Sequence, residues 1–255
     1  MNDGDRRRVA LVTGGSRGIG LEVAKALGAA GHDVAVTARD TERAAAAVAE
    51  IEAHGARGFA VAMDVRNERD IDEALAAVGA VLGAPTVLVN NAGVASALPF
   101  LSITADAWDE ALDVNARGAF LVTRACLPAM LEAGWGRIVN VASTAALEGV
   151  PYAAHYAASK HALLGLTRSL ALEVARKGIT VNCVCPGFVD TEMTERSIEN
   201  IVRATGRTPE QARKALEANS PAGRLIQPEE VGAAVVYLAS DAAHGVNGAH
   251  IVVNG

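Results

Sequence analysis

A serine, a tyrosine and a lysine in the middle of the chain have the residue types and the spacing for proton transfer. Ser143 ends an apolar run, and Tyr156 and Lys160 follow four residues apart in a segment whose pattern predicts a helix. Side chains at i and i+4 lie on one helical face, so the phenol and the ammonium can meet. A nearby cation should lower the tyrosine pKa. A tyrosine tuned in this way exchanges a proton with an alcohol or carbonyl oxygen near neutral pH.

A glycine-rich segment near the N-terminus predicts a binding site for a dinucleotide pyrophosphate. Residues 13–20 read TGGSRGIG, follow the apolar run 9–12 and open a helical pattern. Glycines allow a tight turn, and the helix N-terminus offers free N–H groups and the positive end of its dipole. This order of strand, turn and helix is the one that such a site requires. A plain tight turn is the alternative.

The hydrophobic pattern alternates between strands and helices along the whole chain. It predicts strands at 9–12, 33–37, 58–63, 86–90, 137–142, 180–185 and 249–253, with helices at 18–30, 41–54, 68–82, 104–133, 156–177 and 228–239. Such alternation indicates an α/β fold. We therefore expect a single domain over 1–255, built as a doubly wound, Rossmann-like parallel sheet of about seven strands with helices on both faces. A charged stretch at about 188–218 is expected to form a partly helical substrate lid.

Several motifs occur together in the order found in one enzyme family. They are TGGSRGIG at 13–20, Asp64-Val65, Asn90-Asn91-Ala92-Gly93, Asn115, Ser143, Tyr156 with Lys160, and Pro186-Gly187 with Thr191. Through them the chain resembles the short-chain dehydrogenase/reductase family from about 9 to 253. GRIVNVAST at 136–144 and GITVNCVCPGFVDTEM at 178–193 are most similar to ketoreductases of 3-oxoacyl thioesters and polyketide chains.

The resemblance implies a role for each catalytic candidate. Tyr156 would be the general acid in reduction and the general base in oxidation, and Lys160 would lower its pKa and bind the nicotinamide ribose. Ser143 would donate to the substrate oxygen, and Asn115 would hold a water that links Lys160 to solvent. Each residue also has a structural alternative: a strand-end cap for Ser143, a half-buried aromatic for Tyr156, an exposed helix residue for Lys160 and a helix-bending polar group for Asn115.

The resemblance also implies a set of cofactor-binding residues, comprising Gly14, Ser16, Arg17, Gly18, Ile19, Gly20, Arg39, Asp64, Val65, Asn91, Ala92, Gly93, Tyr156, Lys160, Pro186, Gly187, Val189 and Thr191. Asp64 would accept from the adenine amino group, with a helix N-cap as the alternative. Thr191 would contact the nicotinamide carboxamide, or else serve as a capping hydroxyl. Asn90 is expected to brace the sheet.

The end of the second predicted strand favours NADP(H) over NAD(H). Relatives that prefer NAD tend to carry an acid there, whereas this chain has Ala38 followed by Arg39. Two guanidinium groups, from Arg17 and Arg39, could pair with a 2′-phosphate. The alternative is that Asp40 holds the ribose of NAD and Arg39 is simply solvated.

Composition excludes some classes of partner. The chain of 255 residues has a net charge of −6 and a pI of about 5.5, which argues against nucleic acid or an anionic membrane. The basic run Arg6–Arg8 is expected to be a solvated start to the first strand. No apolar stretch is long enough to span a bilayer, and three cysteines suit a reducing compartment, so a cytoplasmic protein without a metal site is expected. We expect Cys126, Cys183 and Cys185 to be buried.

Function is expected to be NADPH-dependent reduction of a ketone, such as a 3-oxoacyl thioester of CoA or acyl carrier protein. The alternatives are NAD(P)-dependent oxidation of a secondary alcohol and a non-catalytic dinucleotide-binding regulator.

The resemblance also implies a homotetramer formed by helices 104–133 and 156–177. We expect His155 to line the mouth or face solvent, and Glu210 to pair with Lys214. We expect an apolar pocket lined by Leu147, Val150, Tyr152, Phe188 and Met193. The arginines of the predicted lid, together with Lys214, either bind a phosphate-bearing carrier or form an ordinary solvated surface.

Overall fold

A computed structural model describes residues 7–255, so Arg6 of the basic run lies outside the described residues. The strands are β1 (Val9–Thr13), β2 (Asp33–Ala38), β3 (Gly58–Ala62), β4 (Val87–Asn90), β5 (Gly136–Val141), β6 (Ile179–Pro186) and β7 (His250–Val253). The α-helices are α1 (Gly18–Ala29), α2 (Thr41–Glu52), α3 (Glu68–Val81), α4 (Ala105–Leu112), α5 (Ala119–Ala133), α6 (Ala154–Val174), α7 (Glu192–Thr205), α8 (Pro209–Glu217) and α9 (Pro228–Ala239). The predicted alternation of strands and helices is confirmed.

All seven strands are parallel and form one open sheet in the order β3-β2-β1-β4-β5-β6-β7. The chain passes from β1 to β2 on one side and returns to β4 on the other. Strand order therefore reverses between β1 and β4. In open α/β sheets a crevice forms at the carboxyl ends of the strands where the order reverses. The ends of β1, β4, β5 and β6 converge on this edge.

The inner strands of the sheet are buried on both faces, which explains why most of their residues are apolar. One face packs against α1 and α9, through residues such as Leu27, Val235 and Leu238. The other face packs against α3, α5 and α6, where Ile71, Met130 and Val174 belong to a second core cluster. These two layers hold the strand ends rigidly, so residues placed there are positioned by the main core.

A chain of buried polar side chains crosses the central strands. Asn90 donates to Thr123 Oγ1 at 2.9 Å and to Asn140 Oδ1 at 2.8 Å. Asn140 in turn donates to Thr167 Oγ1 at 2.8 Å. These bonds join β4 and β5 to α5 and α6, so the expected bracing role of Asn90 is confirmed.

Two predictions about the helices need correction. The expected helix over 104–133 is interrupted, because a π-helical segment, Asp113–Gly118, separates α4 from α5. The segment 188–218 is called the lid below, although a role over a substrate remains a prediction. Its helices α7 and α8 form as expected, but Glu210 and Lys214 make no ion pair in the described chain. Arg213 instead pairs with Asp190 at 2.8 Å, because α8 folds back toward the start of the lid.

Candidate active site

The glycine turn after β1 is bonded directly to the end of β4. Asn91 Nδ2 donates to the carbonyls of Thr13 and Gly14 at 2.9 and 3.1 Å. Thr13 Oγ1 accepts from the backbone N–H groups of Asn91 and Ala92, each at 3.0 Å. Asn91 and Ala92 therefore lie against the turn, and their approach to a cofactor ribose remains a prediction.

The glycines of this turn are required by close backbone approach. A Cβ on Gly20 would collide with the Gly14 carbonyl and the Asn91 amide, and Gly14 itself has a φ of 63°. Helix α1 begins at Gly18, and the side chain of its N-cap residue, Arg17, makes no capping hydrogen bond. The first-turn N–H groups can therefore face an anion. This cradle fits a pyrophosphate, with Ser16 partly exposed and Ile19 packed onto the adjoining core.

Helix α6 brings Tyr156 and Lys160 to the carboxyl edge of the sheet. Lys160 is 5% exposed, and its Nζ donates to the Val141 carbonyl at the end of β5 at 2.9 Å. Nζ also lies 5.8 Å from the ring centroid of Tyr156. A Cβ on Gly93 would sit 3.6 Å from the same nitrogen. The alternative of an exposed helix lysine is therefore wrong.

The pKa of Tyr156 differs from the expected direction. Burial raises the pKa of the phenol above its ordinary value, and a hydrogen bond with Ser143 opposes this without reversing it. Burial also lowers the pKa of Lys160 to about 8. The predicted lowering of the tyrosine pKa is thus wrong in this structure, because desolvation by burial is the largest effect on the phenol. The phenol is held in its protonated form.

Ser143 lies at the end of β5, beside Tyr156. Its hydroxyl oxygen accepts from the backbone N–H of Ala145 at 3.1 Å, so the residue caps the short turn that follows the strand. The capping alternative is therefore correct. This cap is compatible with catalysis, since the Ser143 hydroxyl also acts to lower the pKa of the Tyr156 phenol. Hydrogen-bonding its oxygen to a backbone N–H leaves the Ser143 hydrogen free to be donated.

Asn115 occupies the π-helical segment, a feature that often marks functional sites. Its side chain is buried and fully engaged: Oδ1 accepts from Val94 N at 2.8 Å, and Nδ2 donates to Val94 O and Ser159 Oγ, each at 2.9 Å. Asn115 thus joins the loop after β4 to α6. The water expected on this residue remains a prediction.

The expected adenine end contains Asp64 and Val65 at the end of β3. Asp64 forms an ion pair with Arg66, which lowers the pKa of that carboxyl. The N-cap of α3 is Asn67, so the alternative of a helix cap for Asp64 is wrong. Val65 is buried and packs beside Gly118.

Arg17 and Arg39, the two residues predicted to pair with a 2′-phosphate, have different surroundings. Arg39 is exposed and makes no hydrogen bond or ion pair within residues 7–255. Arg17 instead contacts Glu192 at the start of α7, at 2.6 Å, and Arg43 lies 3.5 Å from the same carboxylate. Asp40 is the N-cap of α2, where its carboxylate accepts a hydrogen bond from Arg43 N at 3.1 Å.

The turn after β6 carries the last predicted contacts. Gly187 donates to Val253 O at 3.0 Å, and a Cβ at this position would collide with Asn254. Pro186 ends β6, and Val189 is buried. Thr191 precedes α7 without making a side-chain cap, so the capping alternative is wrong; its Cγ2 would lie 3.4 Å from a Cβ on Gly18. The base of the lid therefore abuts the glycine turn.

Some predicted side chains lie elsewhere. His155 is 1% exposed, so the expected solvent-facing orientation is wrong; its ring bonds Ser96. Phe188 packs into the core of the lid, whereas Leu147, Tyr152 and Met193 remain exposed. The sequence did not reveal the Ser96 contact or the Glu192 contact, because each joins residues far apart along the chain.

The three cysteines are free and buried, as predicted. Burial raises the pKa of both Cys126 and Cys183 to about 12, which keeps these thiols protonated. Within the described part of the chain, no three His, Cys, Asp or Glu side chains are grouped to hold a metal ion. None of the described helices combines the length and apolarity needed to cross a bilayer.

Comparison with known proteins agrees with this geometry. The family model for short chain dehydrogenase matches residues 8–201. The chain belongs to this family. It is therefore an oxidoreductase with a nicotinamide dinucleotide as cofactor.

Individual relatives cover nearly the whole chain. The 3-oxoacyl-[acyl-carrier-protein] reductase FabG of Pseudomonas aeruginosa is 38% identical over 97% of this chain and 96% of its own length. D-beta-hydroxybutyrate dehydrogenase of Cupriavidus necator is 36% identical over 95% of this chain and 94% of its own. A crystal structure of an actinorhodin polyketide ketoreductase variant with NADPH matches with a TM-score of 0.95 and 41% identity, covering 100% of this chain and 98% of that one. The resemblance to ketoreductases is confirmed.

Proposed function

We propose that the protein reduces a ketone with NADPH, most simply a 3-oxoacyl thioester carried by CoA or acyl carrier protein. The observation that carries this proposal is the convergence of Tyr156, Lys160 and Ser143 at the edge of the sheet that also holds the glycine turn. The cofactor supplies a hydride. The chain itself must orient the ketone, donate a proton to its oxygen and hold the pyrophosphate.

Each step of this proposal uses a group described above. Ser143 donates to the ketone oxygen and stabilises the negative charge that develops there. Tyr156 then gives its proton to the same oxygen. A proton donor must be protonated before the reaction, and burial raises the pKa of Tyr156. Lys160 binds ribose hydroxyls, because its ammonium has donors beyond the one used by Val141.

The alternative is oxidation of a secondary alcohol, as in the D-beta-hydroxybutyrate dehydrogenase relative. That direction needs Tyr156 as a base, and thus a phenol that readily loses its proton. The same residues serve either direction, so the prevailing ratio of reduced to oxidised cofactor decides between the two. A non-catalytic regulator is less consistent with the intact set of proton-transfer groups.

Preference for NADPH is supported by the charge near the end of β2. Arg39 is exposed and has no ion-pair partner among residues 7–255, whereas Arg17 and Arg43 both contact Glu192. A 2′-phosphate dianion pairs well with guanidinium groups. Asp40, which would favour NAD, is engaged as the cap of α2.

The test follows absorbance at the reduced-nicotinamide band, with NADPH and NADH in parallel, over acetoacetyl thioesters, cyclic ketones and aryl ketones. We expect faster turnover with NADPH, and a loss of roughly 10²–10⁴-fold in kcat for Tyr156→Phe, the usual contribution of a general acid. Tyr237→Phe, on the distant α9, is the matched control. Faster turnover with NADH would refute the cofactor preference, and undiminished turnover by Tyr156→Phe would refute the mechanism.

A further inference from the structure

A buried histidine immediately before Tyr156 is bonded to the loop that follows β4. The ring of His155 is 1% exposed, and its Nε2 lies 2.7 Å from Ser96 Oγ. Ser96 is an exposed residue, 59 positions earlier in the chain. A surface loop is therefore attached to a rigid point in the first turn of α6, next to the proposed proton donor.

A backbone bond accompanies this contact. Leu98 N donates to the carbonyl of Tyr152 at 2.7 Å. Tyr152 has a φ of 64°, a left-handed conformation that is unfavourable for a bulky side chain. Such a conformation persists only where the surrounding structure holds it. The loop 94–99 and the segment 147–155 thus support each other through two links.

The hydrogen-bonding pattern determines which nitrogen of His155 carries the proton. Nδ1 is buried and has no partner among residues 7–255. A buried N–H without an acceptor is rarer and more costly than a buried acceptor without a donor. Nε2–H therefore donates to Ser96 Oγ, and Nδ1 keeps its lone pair. Burial lowers the pKa of His155, consistent with a neutral ring.

We propose that Ser96 and His155 form a clasp that positions the loop 94–99 over the approach to Tyr156 and thereby selects ketones by size. Neither residue contacts the reacting atoms; both act by holding the loop. The selection of ketones rests on the proposed function. The clasp itself is a property of the chain and can be tested without any substrate.

The first experiment measures backbone hydrogen exchange at 96–99 by mass spectrometry. Ser96→Ala and His155→Phe remove the bond, while His155→Gln keeps a side-chain N–H that can reach Ser96. We expect exchange at Leu98 to quicken about fivefold in the first two variants, the effect of losing one ordinary hydrogen bond. His155→Gln should restore much of the protection. Ser102→Ala, which removes an exposed hydroxyl from the same loop region, is the matched control and should behave as wild type.

The second experiment measures kcat and KM for cyclohexanone and for a bicyclic aryl ketone. A loosened loop no longer fits closely around a small ketone, so we expect KM for cyclohexanone to rise about fivefold in Ser96→Ala. KM for the aryl ketone should not rise, and kcat should stay within about twofold because Tyr156 is untouched. A merely structural role would change both ketones alike.

The outcomes are distinct. Unchanged exchange at Leu98 in Ser96→Ala overturns the clasp, even if His155→Phe fails to fold. Faster exchange with equal changes in KM for both ketones overturns the selection by size. If the wild type reduces no ketone with either cofactor, the proposed function fails, and the exchange experiment still decides whether the clasp exists.

Discussion

The ammonium of Lys160 lies 5.8 Å from the ring centroid of Tyr156, and at this edge of the sheet the lysine is buried and the tyrosine partly buried. Burial raises the pKa of the phenol and lowers that of the ammonium to about 8. Both shifts have the same cause, because desolvation penalises whichever form is charged. The site therefore keeps Tyr156 protonated, and burying the charged ammonium of Lys160 there lowers the stability of the fold.

The first prediction concerns this cost. Lys160→Met should raise the free energy of unfolding by about 2 kcal/mol at pH 7, because the shift from 10.5 to about 8 costs about 3 kcal/mol and the bond to Val141 returns about 1. Above pH 8 the folded chain loses this proton while the unfolded chain keeps it, so the wild-type penalty shrinks as the pH rises toward 10.5. Urea unfolding at pH 7 and 9.5 measures the difference.

The control for this variant is Lys177→Met, which removes an exposed lysine near the end of the same helical region and should leave stability almost unchanged at both pH values. Lys160→Met should also lose activity with either cofactor. A Lys160→Met protein that unfolds more easily than wild type at pH 7 would show that the buried ammonium stabilises the fold.

The second prediction concerns Asn115, whose buried side chain makes three hydrogen bonds to Val94 and Ser159. Asn115→Ala should lose about 3 kcal/mol of stability, at about 1 kcal/mol for each bond. For a chain of this size that lowers Tm by roughly 6–12 °C. Differential scanning calorimetry measures the change, and Asn219→Ala, at an exposed position just after α8, is the control. A Tm within a degree of wild type would contradict the bridging role.

The third prediction concerns the ion pair between Arg17 and Glu192. If Arg17 binds a 2′-phosphate, the Glu192 carboxylate competes with it. Glu192→Gln should then strengthen NADPH binding by roughly two- to fivefold, the range expected for one exposed ion pair, and leave NADH binding unchanged. Calorimetric titration measures both affinities, with Glu199→Gln on the same helix as the control. Equal changes for the two cofactors would be inconsistent with this competition.

The fourth prediction concerns assembly. We propose the homotetramer implied by the family, with α4, α5 and α6 at its interface. Leu172 on α6 is 83% exposed in the chain, and Phe120 and Leu131 on α5 are each 43% exposed. Leu172→Lys should therefore produce a smaller species in size-exclusion chromatography with light scattering, since a buried cation at an interface is costly. Leu101→Lys, at a 98% exposed position outside these helices, should leave the mass unchanged. A monomeric wild type would overturn the proposal.

Local patterns in the sequence determined most of the fold. Continuous apolar runs such as 9–12 and 87–89 indicate strands buried on both faces, and the glycine spacing at 14–20 indicates a turn with no room for side chains. The spacing of Tyr156 and Lys160 likewise fixed their common helical face. These features depend on the period of a strand or helix and on the size of single residues, so neighbouring positions contain the necessary information.

Only the tertiary structure decided the electrostatics of the site and the contacts that hold its loops. The pKa of Tyr156 rises because packing around it removes water, and no spacing along the chain encodes the degree of burial. Ser96 meets His155 across 59 residues, and Arg17 meets Glu192 across 175, since the sheet brings its strand ends to one edge. Such pairings depend on how distant segments pack together, and one sequence alone does not contain a local signal for them.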